Sequence, residues 1–322
     1  MVTPRRSLGA AVLAAPLLRI SAAPAQDKPP WRPDRAVRIV VPVGPGSTSD
    51  AVARVLAGWL EAAWRQPVVV ENRAGAGTTL GTAQAARAAP DGHTLLLASA
   101  PFAIAPFLYR GLPYDAGRDF APVALLTRSP LVLVAGSGTG IVRFGDLRRG
   151  RGVTCGTPAV GSLSHVTLEL LKQRSGLNMT HVPYRGPGPA MAALAAGEVS
   201  LLFGSPFELA TQIAAGAAPL AVAAAERAAH LPDVPTFAEL GHPGIEARAW
   251  FGLLTPSGTP GRTIAALQAA VASALATPEV VGALDTQGMA VAPADPAGFA
   301  RFLETEFDRW SEVVQRAGVR VD

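Results

Sequence analysis

The sequence predicts an α/β fold in which mainly parallel sheets are flanked by helices. Short apolar runs suited to buried strands alternate with amphipathic helical stretches, and the connections are rich in Gly, Pro and Ser. This order of units occurs twice along the chain. With 322 residues, 49% apolar and 16% charged, there is length for about two domains and ample material for their cores. A disordered chain needs the opposite balance.

The first strand is expected over residues 37–43, followed by Val52, Leu56, Trp59, Leu60 and Ala63 at helical spacing. Residues 67–70 read as a strand and 80–89 as an alanine-rich helix. Pro90-Asp91-Gly92 is turn chemistry leading into a strand over 94–98. A crossover is expected near 134–140, where glycines cluster. Beyond it come strand 152–156, helix 163–174, strand 181–184, helix 189–196 and strand 199–203. A return crossover is expected near 250–254, then helices over 262–275 and 296–317. In the last helix Phe299, Leu303, Phe307, Trp310 and Val314 form a core-facing stripe. These crossovers divide the chain into lobe 1 (34–136 plus 253–322) and lobe 2 (137–252).

The formal charge of +4 owes three of its positive charges to Arg5, Arg6 and Arg19, in an N-terminal segment without acids. The remainder is too small for a nucleic-acid footprint, so no nucleic-acid partner is expected. Residues 1–25 read as a cleavable export signal: Arg5 and Arg6, an apolar stretch over 8–18, then Ala23-Pro24-Ala25 before Gln26. The adjacent arginines fit the twin-arginine route as well as general secretion. The apolar stretch is too short to span a bilayer, and no cysteine stands at the cleavage site for a lipid anchor. A soluble periplasmic protein is expected. Its single cysteine, Cys155, forms no internal disulfide and no cysteine zinc site.

Four polar loops follow strands and precede helices: 44–50, 99–103, 157–165 and 204–208. In open α/β sheets ligands gather at the carboxyl ends of strands. Helix N-termini there offer unpaired N–H groups and the positive end of the dipole, which suits an anion. Ser47, Thr48, Ser49 and Ser99 could add hydroxyl donors, as could Thr157, Ser162, Ser164 and Ser205. Each could equally cap its helix. Their recurrence in four equivalent places points to a site.

Other motifs are weaker. The glycine loop over 75–81 lacks a P-loop ending and the spacing of a dinucleotide fingerprint. No G-x-S-x-G elbow is present. Ser162, Ser164 and His165 are close in sequence, but a triad also needs a converging acid. The histidines follow no metal-ligand spacing, so neither metal nor cofactor is expected. Asp50 reads as a helix cap. The loop Tyr184-Arg185-Gly186-Pro187-Gly188 offers Arg185 to a ligand carboxylate.

Several blocks, taken in order, resemble the Bug family, the substrate-binding proteins of tripartite tricarboxylate transporters. They are VPVGPGSTSD (41–50), PVVVENRAGAGTTLG (67–81), APDGHTLLL (89–97) and LPYDAGRDFAPVALL (112–126). HVPYRGPGPAM (181–191), LPDVPTFAELG (231–241) and WFGLLTPSGTP (250–260) continue the series. The resemblance covers essentially the whole mature chain. It implies a two-lobed periplasmic-binding-protein fold of type II that closes around a small carboxylate. It also implies delivery to a membrane permease with no chemistry performed, by a monomer. Carried over, the binding loops are Gly44, Pro45, Gly46, Ser47, Thr48 and Ser49, then Ser99, Ala100, Phe102 and Ala103. The second lobe would add Thr157, Ser162, Ser164, His165, Tyr184, Arg185, Gly186, Gly204 and Ser205.

The sequence departs from the family pattern at three places. Ser47 replaces a glycine of the first turn, Ala105 an asparagine, and Gly204-Ser205 an Asp-Asn pair. Losing an acid and two amides leaves an ammonium group without an acidic partner. The expected ligand is therefore a partly apolar or aromatic carboxylate, set against Phe102 or Phe207, rather than an amino acid. Two rival readings are a ligand-sensing partner of a sensor kinase and a secreted serine hydrolase using His165.

Overall fold

A computed structural model describes residues 31–149 and 152–321, so the expected export signal lies outside the described residues. In chain order the strands are β1 (Val37–Val41), β2 (Val68–Asn72), β3 (Thr94–Ser99), β4 (Phe120–Pro130), β5 (Val132–Ala135) and β6 (Thr154–Thr157). They continue as β7 (Thr180–Pro183), β8 (Leu201–Gly204), β9 (Ala218–Val222), β10 (Arg248–Pro256) and β11 (Ala290–Ala294). The main helices are α1 (Thr48–Trp64), α2 (Thr79–Ala86), α3 (Ala100–Leu108), α4 (Leu163–Ser175) and α5 (Pro187–Ala195). After these come α6 (Ala210–Ala214), α7 (Gly261–Leu275), α8 (Pro278–Asp285) and α9 (Pro296–Ala317). The strands pair into a six-stranded sheet, β11-β4-β10-β3-β1-β2, and a five-stranded sheet, β7-β6-β8-β5-β9.

Local sequence explains the elements that place the loops. Strand β1 is buried at every residue except Arg38, as expected where helices cover both faces of a sheet. The Ser47 side chain caps α1 by accepting the Asp50 N–H, and Val52, Leu56 and Leu60 are buried as the spacing predicts. Trp59 is half-buried and Ala63 exposed. Helix α9 is capped by Asp295, has Pro296 in its first turn, and stops at a left-handed Gly318. Its stripe is buried at Phe299, Leu303, Trp310 and Val314, with Phe307 half-buried.

The sheets are mixed rather than mainly parallel. Strand β1 is parallel to β2 and β3, and β6 is parallel to β7 and β8. Strand β10, however, runs antiparallel to β3 and β4, and β5 antiparallel to β8 and β9. The reason lies in the crossing points. Strand β4 passes through Leu131 directly into β5, and the chain returns at Ala247 into β10. Three backbone hydrogen bonds join the two passages: Leu131 N–H to Ala247 O (2.9 Å), Ala223 N–H to Leu131 O (2.8 Å) and Ala247 N–H to Ala223 O (2.9 Å). Both crossings lie at the carboxyl edge of the sheet being left. A strand arriving from the other sheet enters at that edge and must run against the strands that end there.

The crossings therefore lie before the expected ones near 134–140 and 250–254. Residues Val132–Ala135 already pair in the five-stranded sheet, and Arg248 already pairs with Pro130 in the six-stranded one. Glycine clustering marked the loop after β5 instead of the crossing before it.

One buried carboxylate ties the returning strand to the last helix. Glu306 is 1% exposed, and its Oε2 accepts both Trp250 Nε1–H (3.0 Å) and Trp310 Nε1–H (3.1 Å). Its Oε1 accepts from Arg309 (2.9 Å). Burial pushes its carboxyl pKa above the usual range, against the opposing pull of Arg309 and the two indoles. Glu306→Ala leaves two buried indole N–H groups unpaired, each costing about 1–3 kcal/mol. Urea denaturation is expected to show a loss of about 2–5 kcal/mol for Glu306→Ala and a smaller loss for Glu306→Gln, which keeps an acceptor oxygen.

Candidate functional site

The crossings bring the carboxyl edges of both sheets to one place. Ser99, at the end of β3, pairs with Phe251, which pairs in turn with Thr127 of β4. Gly204, at the end of β8, pairs with Val132 of β5. The chain from Thr127 to Val132 spans about 16 Å when extended, so the loops after β3 and β8 flank the crossing.

In the loop after β1, the Ser47 hydroxyl donates to Gly44 O (3.0 Å) and accepts the Asp50 N–H (3.2 Å). The buried Asp50 carboxylate accepts from Gly46 N (3.0 Å) and Arg54 Nε (3.0 Å) through Oδ2. Arg54 holds the Asp50 carboxyl below the usual range, burial opposing it. Gly46 sits at φ +79, a left-handed turn suited to glycine. Asp50 and Ser47 thus shape their own loop, while Pro45 and Gly46 are exposed. The half-buried Thr48, Ser49 and Ser99 have hydroxyls with no hydrogen-bond partner among the described residues. Ser99 is the N-cap residue of α3 without a side-chain cap bond.

The second-sheet hydroxyls are engaged. Thr157 Oγ1 donates to Ala159 O (3.2 Å) and lies 2.6 Å from His181 Nε2. Ser162 caps α4, accepting His165 N–H (3.3 Å) and donating to Ala159 O (2.8 Å). Ser164 donates to Phe203 O (3.0 Å). Ser205 and Glu208 cap each other reciprocally: Ser205 N–H to Glu208 Oε2 (2.9 Å), Glu208 N–H to Ser205 Oγ (3.2 Å). Ser162 and Ser205 thus act as caps, while Thr157 and Ser164 are tied to a loop carbonyl and to the β8 carbonyl of Phe203. Tyr184 rests near Gly156, Arg185 is exposed, and Gly186 donates its N–H to Pro158 O (2.8 Å) at φ +115.

His165 is buried, with Nδ1 accepting the Gly161 N–H (2.9 Å). Burial first, then His181 and Lys172, push its pKa down to about 4, so the ring is neutral at neutral pH. No serine hydroxyl is bonded to a histidine nitrogen among the described residues. Among the described residues no three His, Cys, Asp or Glu side chains converge as a metal site requires.

Phe102 needs correction as a ligand wall. Its ring is 3% exposed, edge-on to Phe120 (5.4 Å between centroids) and beside Phe307 (6.1 Å), in the core beneath α3. Ala100 and Ala103 are buried beside it, leaving the backbone of this helix start as its polar feature. Phe207, by contrast, is 50% exposed and packs on Gly288 from the other sheet's half of the chain.

Two residues escaped the sequence analysis. Thr127 is fully buried, and its hydroxyl has no partner among the described residues. Ser129, two residues on, lines a cavity of about 500 Å³ whose other walls include Pro130, Phe207, Ile213, Leu231 and Gly288. Both lie inside β4, away from the turn residues that mark the loops. The signal available was a Thr-x-Ser step at the end of an apolar strand.

A profile of the tripartite tricarboxylate transporter family receptor matches residues 52–319. The periplasmic binding protein BugD superposes with a TM-score of 0.76 at 32% identity, covering 90% of this chain and 100% of BugD. R. palustris Rpa4515, solved with adipate, gives 0.79 at 32% identity over 90% of this chain and 99% of its own. MatC from Rhodopseudomonas palustris, solved with bound malate, gives 0.75 at 34% identity over 88% and 99%. These likenesses, with the two sheets and their shared crossings, establish a two-lobed periplasmic-binding-protein fold. The chain belongs to the tripartite tricarboxylate transporter receptor family, which includes the Bug proteins.

Proposed function

We propose that this protein is an exported, periplasmic receptor that holds a small, partly apolar carboxylate between its two sheets and delivers it to a membrane permease. It performs no chemistry on that ligand. Each lobe is one sheet with its helices, exchanged at Leu131 and Ala247. The observation that carries the reading is the convergence of strand ends around the crossing, where Thr48, Ser49 and Ser99 hold unused hydroxyls at the starts of α1 and α3. Free N–H groups and the helix dipole favour an anion there without a charged side chain.

The apolar part of the ligand is inferred from the row beside that anchor. Ser99, Phe251 and Thr127 lie side by side across three strands, a span of about 10 Å. Ser129 continues the row into the cavity walled by Phe207, Ile213 and Leu231. Ligand pockets are commonly about 300–1,000 Å³ with mostly apolar walls, so a 500 Å³ cavity is of suitable size. The acid nearest the anchor, Asp50, is already paired with Arg54, which weakens its claim on a ligand ammonium.

A thermal-shift panel of the chain from Gln26, using mono-, di- and tricarboxylates, aromatic acids and amino acids, tests this. A ligand at about 100 times its Kd adds roughly 2.7 kcal/mol of stability, and partly apolar carboxylates are expected to give the largest shifts. Tight binding of glutamate or aspartate would overturn the ligand class, and an absence of any carboxylate shift would overturn the anion site. In the same assay Ser99→Ala is expected to weaken carboxylate binding by about 1 kcal/mol. Phe207→Ala should cost more for long apolar acids than for short polar ones, as titration calorimetry would show.

A further inference from the structure

His181 lies on β7, outside every loop expected to touch ligand, yet its ring stacks on that of His165 with centroids 3.8 Å apart and planes 11° from parallel. We propose that His181 is a positioning residue: by stacking on His165 it holds the ring whose Nδ1 anchors the Gly161 amide, so the loop between β6 and α4 stays fixed only while both rings are uncharged.

A hydrogen bond assigns the His165 proton. His165 Nδ1 accepts the Gly161 N–H (2.9 Å), so its own proton is on Nε2. Thr157 Oγ1 and His181 Nε2 lie 2.6 Å apart in a hydrogen bond whose donor is set by the tautomer of the His181 ring. His165 is thus the neutral Nε2–H tautomer, stacked face to face on the His181 ring. Protonating His165 at Nδ1 removes the acceptor that Gly161 uses and places a cation against a second imidazole.

Gly161 carries consequence beyond its own loop. It sits at φ +76, and a Cβ there would meet Leu108 at the end of α3 (2.5 Å) and Val321 (3.6 Å). The anchored turn is therefore where the β6–α4 loop rests on elements of the first sheet. Of the charged groups around the pair, Glu169 favours a proton on His181, while Lys172 opposes one on either ring. On α4, Glu169 and Lys172 pair with each other at 2.8 Å. Across β6, Cys155 stands opposite His181 as a buried thiol pushed up to about 12. Next in the chain to Leu108 and Val321, on which the turn rests, stand Tyr109 and Arg320, the latter bonded to Phe107 O (3.2 Å). Burial lowers the pKa of both rings, that of His165 to about 4. A base depressed in the folded state contributes stability that is complete above its unfolded value near 6.5 and is lost as pH falls toward 4. Acidification releases the loop, and with it the hold on ligand; this last step rests on the receptor reading above.

Hydrogen exchange at the Gly161 amide, corrected for intrinsic rate, tests the device in the full chain without any ligand. Its protection is expected to fall about tenfold or more between pH 6.5 and pH 4, in step with His165 titration followed by ring nitrogen NMR. His165→Asn, which offers an acceptor that does not titrate, should flatten that step. His181→Ala should lower Gly161 protection at pH 7, and His181→Phe, which restores a stacking face, should recover it. A flat profile in the native chain, an Nδ1-protonated His165 at pH 7, or unchanged protection in His181→Ala would each overturn the proposal. If the variants do not fold, the native profile and tautomers still decide it. Failure of the receptor reading would show separately, as a missing carboxylate shift with the amide step intact.

Discussion

The placement of the crossings at the carboxyl edge of both sheets governs the rest of the architecture. Because β4 runs through Leu131 into β5, and the chain comes back through Ala247 into β10, strands entering from the other sheet must run against their neighbours. The same placement turns the ends of β3 and β8 toward a shared space, so loops distant in sequence become neighbours. Three backbone hydrogen bonds among Leu131, Ala223 and Ala247 hold these passages together. No charged side chain is needed to define the location of the site.

That economy extends to the hydroxyls. A serine at a helix start either caps its own backbone or is available to something else, because one hydroxyl has one proton to give. In the second lobe Ser162, Ser164, Thr157 and Ser205 give theirs to carbonyls or sit in reciprocal caps. In the first lobe Ser47 does the same, while Thr48, Ser49 and Ser99 do not. The two lobes therefore differ in kind: one leaves hydroxyls at its helix starts unengaged, and the other spends them on bonds within its own loops. This asymmetry suits a receptor that captures an anion on one surface and covers it with a preformed second.

Periodicity made the fold legible where it could act. The spacing of Val52, Leu56 and Leu60, and of Phe299, Leu303, Trp310 and Val314, marks faces that are indeed buried. Strand direction left no such mark: the apolar run at Val132–Ala135 reads the same whichever way it pairs, so the expected boundaries place β5 in the other lobe and cut β10 between Gly252 and Leu253. The loops of the candidate site were visible because turn residues announce them. Their side-chain orientations were not, which is why Phe102 seemed available yet lies edge-on to Phe120. Thr127 and His181 were hidden for a different reason. Each gains its meaning from a neighbour on another strand, Phe251 and Thr157 respectively, and no spacing along the chain encodes that.

The contacts between the halves also constrain how a lobe can move. Hinge motion requires a few residues that absorb the change while the bodies stay packed. Leu131 and Ala247 are suitably sparse, but Glu306 fixes Trp250, three residues after Ala247, to Trp310 of α9. Helix α9 in turn reaches the second lobe, where Gln173 Nε2 donates to Val313 O at 3.0 Å. Rotation that kept the Glu306 link would have to slide α4 along α9 or break the Gln173 bond. The turn at Gly161 rests on Leu108 at the end of α3, with its own amide on His165 Nδ1. A rotation that spares the Glu306 link would therefore also change the contact of this turn with α3.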